Sequence, residues 1–148
     1  MEYTTKTIYL LSCFNPNKML DAIIIDDDPL HHKITEIYIR KRSAFKSFKS
    51  YTNPVNALVD LMDDYYASKE LPDVILLDLN MPELNGWSFL DVFNNIIALK
   101  GCKTSVYIVT SSIDPNDKER AKLYSCVKGF YPKPVSYGMF DDILQEGH

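Results

Sequence analysis

The chain has 148 residues and a formal net charge of −4, with 46% hydrophobic and 24% charged residues. That length suits one domain with a sizeable core and is short for two, and the apolar content excludes disorder throughout. The absence of a Lys/Arg-rich stripe disfavours a nucleic-acid surface, and no apolar run approaches the ~20 residues of a membrane-spanning helix.

Residues 1–18 do not fit the pattern of the rest. Ile8-Tyr-Leu-Leu-Ser-Cys13 is an apolar run after Lys6, too short for a signal core, and Glu2 is wrong for a basic leader. The expectation is an N-terminal extension, an upstream start being the alternative because Met19 directly precedes the regular part. Glu146-Gly-His148 resembles the stub of an expression tag. The expected organisation is therefore an extension over 1–18, one domain over 19–145 and a tag remnant over 146–148. Cys13, Cys102 and Cys126 form an odd set without C-x-x-C spacing. They read as reduced thiols of a cytoplasmic protein, neither a disulfide frame nor a zinc site.

From Asp21 the punctuation is regular. Ala22-Ile-Ile-Ile25 reads as a buried strand and leads into Asp26-Asp27-Asp28-Pro29. An acid or amide before proline is a helix N-cap followed by a first-turn residue. It recurs at Asn53-Pro54 and Asp114-Pro115. Leu30, Ile34, Ile37 and Tyr38 are the expected apolar stripe of the first helix, and Val55, Leu58, Val59 and Met62 that of the second. His31 and His32 diverge on a helix, cannot grip one metal as an i, i+4 pair would, and read as surface residues. Phe45 to Tyr51 is a weak strand whose Lys46 and Lys49 suit a sheet edge.

Val74-Ile-Leu-Leu77 runs straight into Asp78, and Pro82 stops the segment. Such a continuous apolar run reads as a strand buried on both faces. Gly86 marks a tight turn, after which Phe89, Leu90, Phe93, Ile96 and Ile97 line a third helix. Val106 to Val109 is a strand ending at Thr110. The fourth helix has only a thin apolar face (Ala121, Leu123, Tyr124) and should be the least firmly packed. Gly129 to Tyr131 is a short last strand before Pro132-Lys133-Pro134, and a final helix from about Ser136 uses Phe140, Ile143 and Leu144. Strand and helix alternate five times with short links, which predicts α/β architecture with a parallel sheet and helices on both faces.

In such a sheet ligands bind outside the carboxyl ends of the strands. Asp26, Asp27, Asp78, Thr110 and Lys133 all fall at that edge. Singly, the acids would be solvated loop residues, Lys133 a surface lysine and Thr110 a strand end; their shared placement overturns those readings. Crowded carboxylates repel unless a cation sits among them, and hard oxygen ligands suit Mg²⁺. A cation beside Asp78 would screen an incoming phosphoryl group and let the carboxylate attack phosphorus. Lys133 offers a compact charge for a phosphoryl oxygen, and Thr110 a short donor.

From Ala22 to about Leu144 the sequence resembles the receiver domain of two-component response regulators. Ile-Ile-Asp26-Asp27-Asp28-Pro, Leu-Leu-Asp78-Leu-Asn-Met-Pro-Glu-Leu-Asn-Gly86, Val-Thr110-Ser and Phe130-Tyr-Pro-Lys133-Pro carry the resemblance. It implies a flavodoxin-like (βα)5 doubly wound parallel sheet of strand order 2-1-3-4-5. It further implies Asp78 as phosphoacceptor, and Mg²⁺ held by Asp26, Asp27, Asp78 and the backbone carbonyl of Asn80. Thr110 and Lys133 would bind the phosphoryl group, and the Lys133-Pro134 peptide would be cis. Phosphorylation would draw Thr110 inward and turn Phe130 from solvent, altering the face made by the fourth helix, fifth strand and fifth helix. The alternative for Phe130, which lacks the hydroxyl of the tyrosine frequent there, is a core residue in both states.

The implied donor is a sensor histidine kinase or phosphotransfer protein, the output a downstream protein, with neither nucleic acid nor membrane as partner. Self-catalysed chemistry in the service of signalling is not an enzyme's. No output domain follows Leu144, so the expectation is a stand-alone receiver or a piece of a longer regulator. An aspartate-dependent phosphohydrolase would want a second aspartate where Asn80 stands, and a cap domain. A receiver-like module that takes no phosphate finds no support, since all five polar positions are intact. Flavin binding fails because three aspartates follow the first strand where a phosphate loop would be needed.

Overall fold

The computed structural model describes residues 18–101 and 103–146; the expectations placed on residues 1–17, Cys102 and residues 147–148 lie outside them. Five strands, β1 (Leu20–Ile25), β2 (Phe45–Tyr51), β3 (Val74–Leu77), β4 (Ser105–Thr110) and β5 (Val127–Pro132), alternate with five helices. These are α1 (Pro29–Arg40), α2 (Pro54–Tyr66), α3 (Gly86–Lys100), α4 (Pro115–Ala121) and α5 (Tyr137–Gln145). All strand pairs are parallel and the order is β2-β1-β3-β4-β5, as the resemblance implied. Strand order reverses between β1 and β3, so the crevice of a doubly wound sheet falls beyond their carboxyl ends.

The central strands are apolar throughout because both faces are covered. Ile23, Ile25, Ile75, Leu77, Val106 and Ile108 point into one core, closed by α2, α3 and α4. Ala22, Ile24, Val74, Leu76, Tyr107 and Val109 point into the other, closed by α1 and α5. The three acid- or amide-proline junctions behave as caps: Asp28, Asn53 and Asp114 accept the backbone N–H groups of Leu30, Val55 and Asn116. β2 and β5 are the edges, with Lys46 and Lys49 exposed on β2.

Two expected helix faces are displaced. α1 buries His31, His32, Thr35 and Ile39, while Leu30 and Ile37 face solvent. α2 buries Pro54, Ala57, Leu58 and Leu61, while Val55, Val59 and Met62 are exposed. In α2 two apolar stripes compete, and the one carrying the small Ala57 lets the helix approach the sheet. In α1 the buried face begins beside the acidic end of β1, where polar side chains find polar neighbours. The α3 set, Phe89, Leu90, Phe93, Ile96 and Ile97, is buried as expected. α4 spans seven residues and buries only Ala121; Leu123 is exposed, and Tyr124 stacks on Trp87.

Gly86 opens α3 just after the bends at 82–84. It does not take the left-handed backbone of a tight turn; among described glycines Gly101 does. A Cβ at Gly86 would meet the Asp78 carbonyl oxygen at 2.5 Å and the Leu79 Cα at 2.9 Å. The residue is glycine because the start of α3 lies directly on the backbone that follows β3.

Candidate functional site

β1 and β3 run side by side, Ile25 opposite Leu77, so the residues that follow them emerge together at the carboxyl edge. The Asp78 N–H donates to the Ile25 carbonyl at 2.9 Å, extending the ladder to the acidic residue itself. One oxygen from each of Asp26, Asp27 and Asp78 lies within 4.8 Å of the others. Asp26 and Asp78 are buried and Asp27 is exposed, so the cluster opens to solvent on the Asp27 side.

Lys133 reaches into this cluster from the end of β5. The Lys133 N–H donates to the Thr110 carbonyl at 3.0 Å, and the Lys133-Pro134 peptide that follows is cis, as the resemblance implied. Its Nζ stands 2.7 Å from Asp26 Oδ2 and 3.2 Å from Asp78 Oδ2, bridging the two carboxylates. Burial pushes the Asp78 carboxyl upward and the neighbouring Asp26 charge pushes it further, against the pull of Lys133. Burial acts the same way on Asp26, but the His31 ring, Lys133 and the Asp28 N–H outweigh it and hold that carboxyl below its ordinary range. Lys133 loses hydration yet gains more from the two carboxylates, so its ammonium is held charged.

Thr110 is fully buried at the end of β4, where its Oγ1 accepts the Ser112 N–H at 3.2 Å. Ser112 Oγ in turn donates to Asp117 in the first turn of α4. A hydrogen-bonded chain thus joins Thr110 to the start of α4. Phe130, on β5, is half-buried against the core that contains Val106, Ile108 and Ala121. The Asn80 side chain is exposed beside the cluster, and its N–H lies 3.4 Å from Asp78 Oδ1.

The histidines are not surface residues. His31 Nδ1 lies 2.7 Å from Asp26 Oδ2, and His32 Nε2 meets the Asp26 carbonyl. Both rings are buried. Hydrophobic periodicity concealed them by assigning the inner face of α1 to Leu30 and Ile37. The available signal was position: the first turn of a helix entered from Asp26-Asp27-Asp28 stays beside those acids.

The set fits a small divalent cation. Three carboxylates on one side of a crevice, one of them held toward its neutral form by burial and a like charge, are the environment that Mg²⁺ relieves.

Fold and site define a class, a doubly wound α/β domain with an acidic pocket and a half-buried lysine at the carboxyl edge of its sheet. Residues 22–145 match the model of the response regulator receiver domain, and the chain belongs to that family. A two-component response regulator from Cytophaga hutchinsonii superposes with a TM-score of 0.77 at 27% identity, over 87% of this chain and 97% of its own. The transcriptional regulatory protein DcuR of Escherichia coli K12 is 25% identical over 126 residues, 85% of this chain and 49% of DcuR. The protein-glutamate methylesterase/protein-glutamine glutaminase 1 of Pseudomonas savastanoi pv. phaseolicola is 24% identical over 106 residues, 65% of this chain and 28% of that protein. The chain thus spans about half or less of the curated relatives it matches. It is a receiver domain of two-component signalling, and no described helix is long and apolar enough to cross a membrane.

Proposed function

We propose that Asp78 accepts a phosphoryl group from a histidine kinase or phosphotransfer protein, and that the domain signals through the face formed by α4, β5 and α5. The observation that carries this reading is the Lys133 bridge between Asp26 and Asp78 within a cluster of three carboxylates. Asp26, Asp27, Asp78 and the Asn80 carbonyl would hold Mg²⁺, which supplies charge neutralisation for the transferring phosphoryl oxygens.

A carboxylate oxygen of Asp78 attacks phosphorus, the bond from phosphorus to the donor atom breaks, and the donor leaves with that electron pair. Asp78 is deprotonated for this step, although burial and Asp26 oppose that state; the charge of Lys133 offsets part of their effect. Once Asp78 is esterified, Lys133 is free to pair with a phosphoryl oxygen. Thr110 donates its hydroxyl to another, releasing the Ser112 N–H. Through Ser112 and Asp117 that movement reaches α4, and Phe130 moves into the space that Thr110 vacates.

Acetyl phosphate with Mg²⁺ tests the reading. The chain should gain one phosphoryl group, resolved on a phosphate-affinity gel, and lose the capacity with EDTA or Asp78→Asn. Undiminished labelling of that variant would place the acceptor elsewhere. The cytoplasm is the inferred setting, with the domain spanning residues 19–145.

A further inference from the structure

Asp26 has every polar atom engaged. Its N–H donates to the Tyr51 carbonyl at 3.0 Å, and its own carbonyl meets His32 Nε2. Oδ1 accepts the Asp28 N–H at 2.9 Å. With the backbone tied on both sides, only rotation of the carboxylate is left for its neighbours to decide. That rotation turns on Oδ2, which two groups share: Lys133 Nζ and His31 Nδ1, each at 2.7 Å.

The two partners are placed differently. Lys133 arrives from the end of β5 on a flexible stem and also touches Asp78 at 3.2 Å. His31 stands in the first turn of α1, on the inner stripe it shares with Thr35 and Ile39, and its ring is 6% exposed. Its Nδ1 lies close to Oδ2 but off the line of an aligned hydrogen bond, and its Nε2 has no partner among the described residues. A ring buried in this way is a poor means of stabilising a fold, because an unpaired buried nitrogen is less favourable than an apolar side chain of similar size. Its value lies in what it touches.

We propose that His31 is a positioning residue that takes over Asp26 Oδ2 when Lys133 leaves for the phosphoryl group. This rests on the reading of Asp78 as phosphoacceptor. While Lys133 holds Oδ2, the His31 contact stays bent; once the ammonium turns away, a small rotation of the carboxylate brings Oδ2 onto the Nδ1–H axis. A neutral ring with its proton on Nδ1 suffices as donor, so the exchange requires no change in the protonation of His31. Oδ1 keeps the Asp28 N–H throughout, but without His31 the buried Oδ2 would be left with no protein donor at the point where its orientation matters to metal and phosphate.

Two substitutions separate positioning from packing. His31→Asn sets an amide nitrogen close to the place of Nδ1, and His31→Leu sets none there. At saturating Mg²⁺ and acetyl phosphate, the Leu variant should be phosphorylated about tenfold more slowly than the parent, and the Asn variant should recover most of the rate. The metal-free Leu variant should melt no lower than the parent, since Lys133 still holds Asp26 in that state. Calorimetric titration with Mg²⁺ gives a readout that needs no phosphate: His31→Leu should weaken Mg²⁺ binding several-fold more in the Lys133→Ala background than in the parent, because only there is the ring the last side chain on Oδ2. Equal rates in all three proteins, equal losses in the Leu and Asn variants, a melting point that falls with the rate, or the same Mg²⁺ penalty in both backgrounds would each overturn the proposal. A parent chain that gains no phosphate would strike the acceptor reading instead, and the Mg²⁺ comparison would still decide whether His31 stands in for Lys133 at Asp26.

Discussion

Lys133 is held by two buried carboxylates, and its removal takes the ammonium from Asp78 and leaves Asp26 with only the His31 ring and the Asp28 N–H. Breaking such a pair from one side costs about 3 kcal/mol. Lys133→Ala should therefore lower the stability of the metal-free protein by about that much in urea unfolding, while still binding Mg²⁺, which should restore part of the loss. Phosphorylation of that variant should no longer shift Phe130. Asp26 and Asp78 act with opposite sign on pH dependence. The carboxyl of Asp26, lowered by folding, contributes stability above its unfolded value, lost as pH falls through its folded one. Asp78 is raised by folding, so its ionisation costs stability at neutral pH, and the cost disappears as pH falls toward the ordinary 3.8. Metal-free Asp78→Asn should accordingly melt above the parent at pH 7, with the gain vanishing near pH 4; a gain independent of pH would contradict this assignment. Gly86 belongs to the same scale. A methyl group there must displace backbone at Asp78 and Leu79, so Gly86→Ala should cost about 2 kcal/mol in the same unfolding assay and slow phosphorylation, since the displaced carbonyl is that of the acceptor residue.

α4 is the element on which the switch account depends. Seven residues long and burying only Ala121, it has little of its own to hold it. Its attachments are at its two ends. Ser112 and Asp117 tie the first turn toward Thr110, and beyond the last turn Tyr124 stacks on Trp87 and donates its hydroxyl to Asp91. Arg120 lies over the Trp87 ring at 4.5 Å. An aromatic pair contributes about 1 kcal/mol beyond its area, a large share of what fixes so short a helix. Tyr124→Ala should accelerate amide exchange over residues 115–121 and leave β4 unchanged. Equal acceleration in β4 would show that α4 opens only with the sheet. The sequence made this element legible, because three apolar residues in its segment are too few for firm packing.

Across the whole molecule, the parallel sheet with helices on both faces and the meeting of Asp26, Asp27, Asp78 and Lys133 at one edge were readable from the residues, whereas the sheet order came with the resemblance to receiver domains. Strands buried on both faces write continuous apolar runs, and the residue after each run must sit at one edge. The misread parts share a cause. On α1 and α2 more apolar residues are available than one face uses, and periodicity cannot tell which stripe meets the sheet. The choice was made by tertiary fit: Ala57 allowed close approach, and the acids beyond β1 accepted His31 and His32. Gly86 was legible as a special position but its reason was not, since a close contact between segments leaves no local signature.

The central claim is that Asp78, among the acids of the cluster, is the residue esterified. Borohydride reduces an aspartyl phosphate to homoserine, so the chain is treated with acetyl phosphate and Mg²⁺, reduced, digested and sequenced by mass spectrometry. Homoserine at position 78, and at neither 26 nor 27, is the result the account predicts. Homoserine at 26 or 27, or its absence from a chain that has gained phosphate, would contradict it.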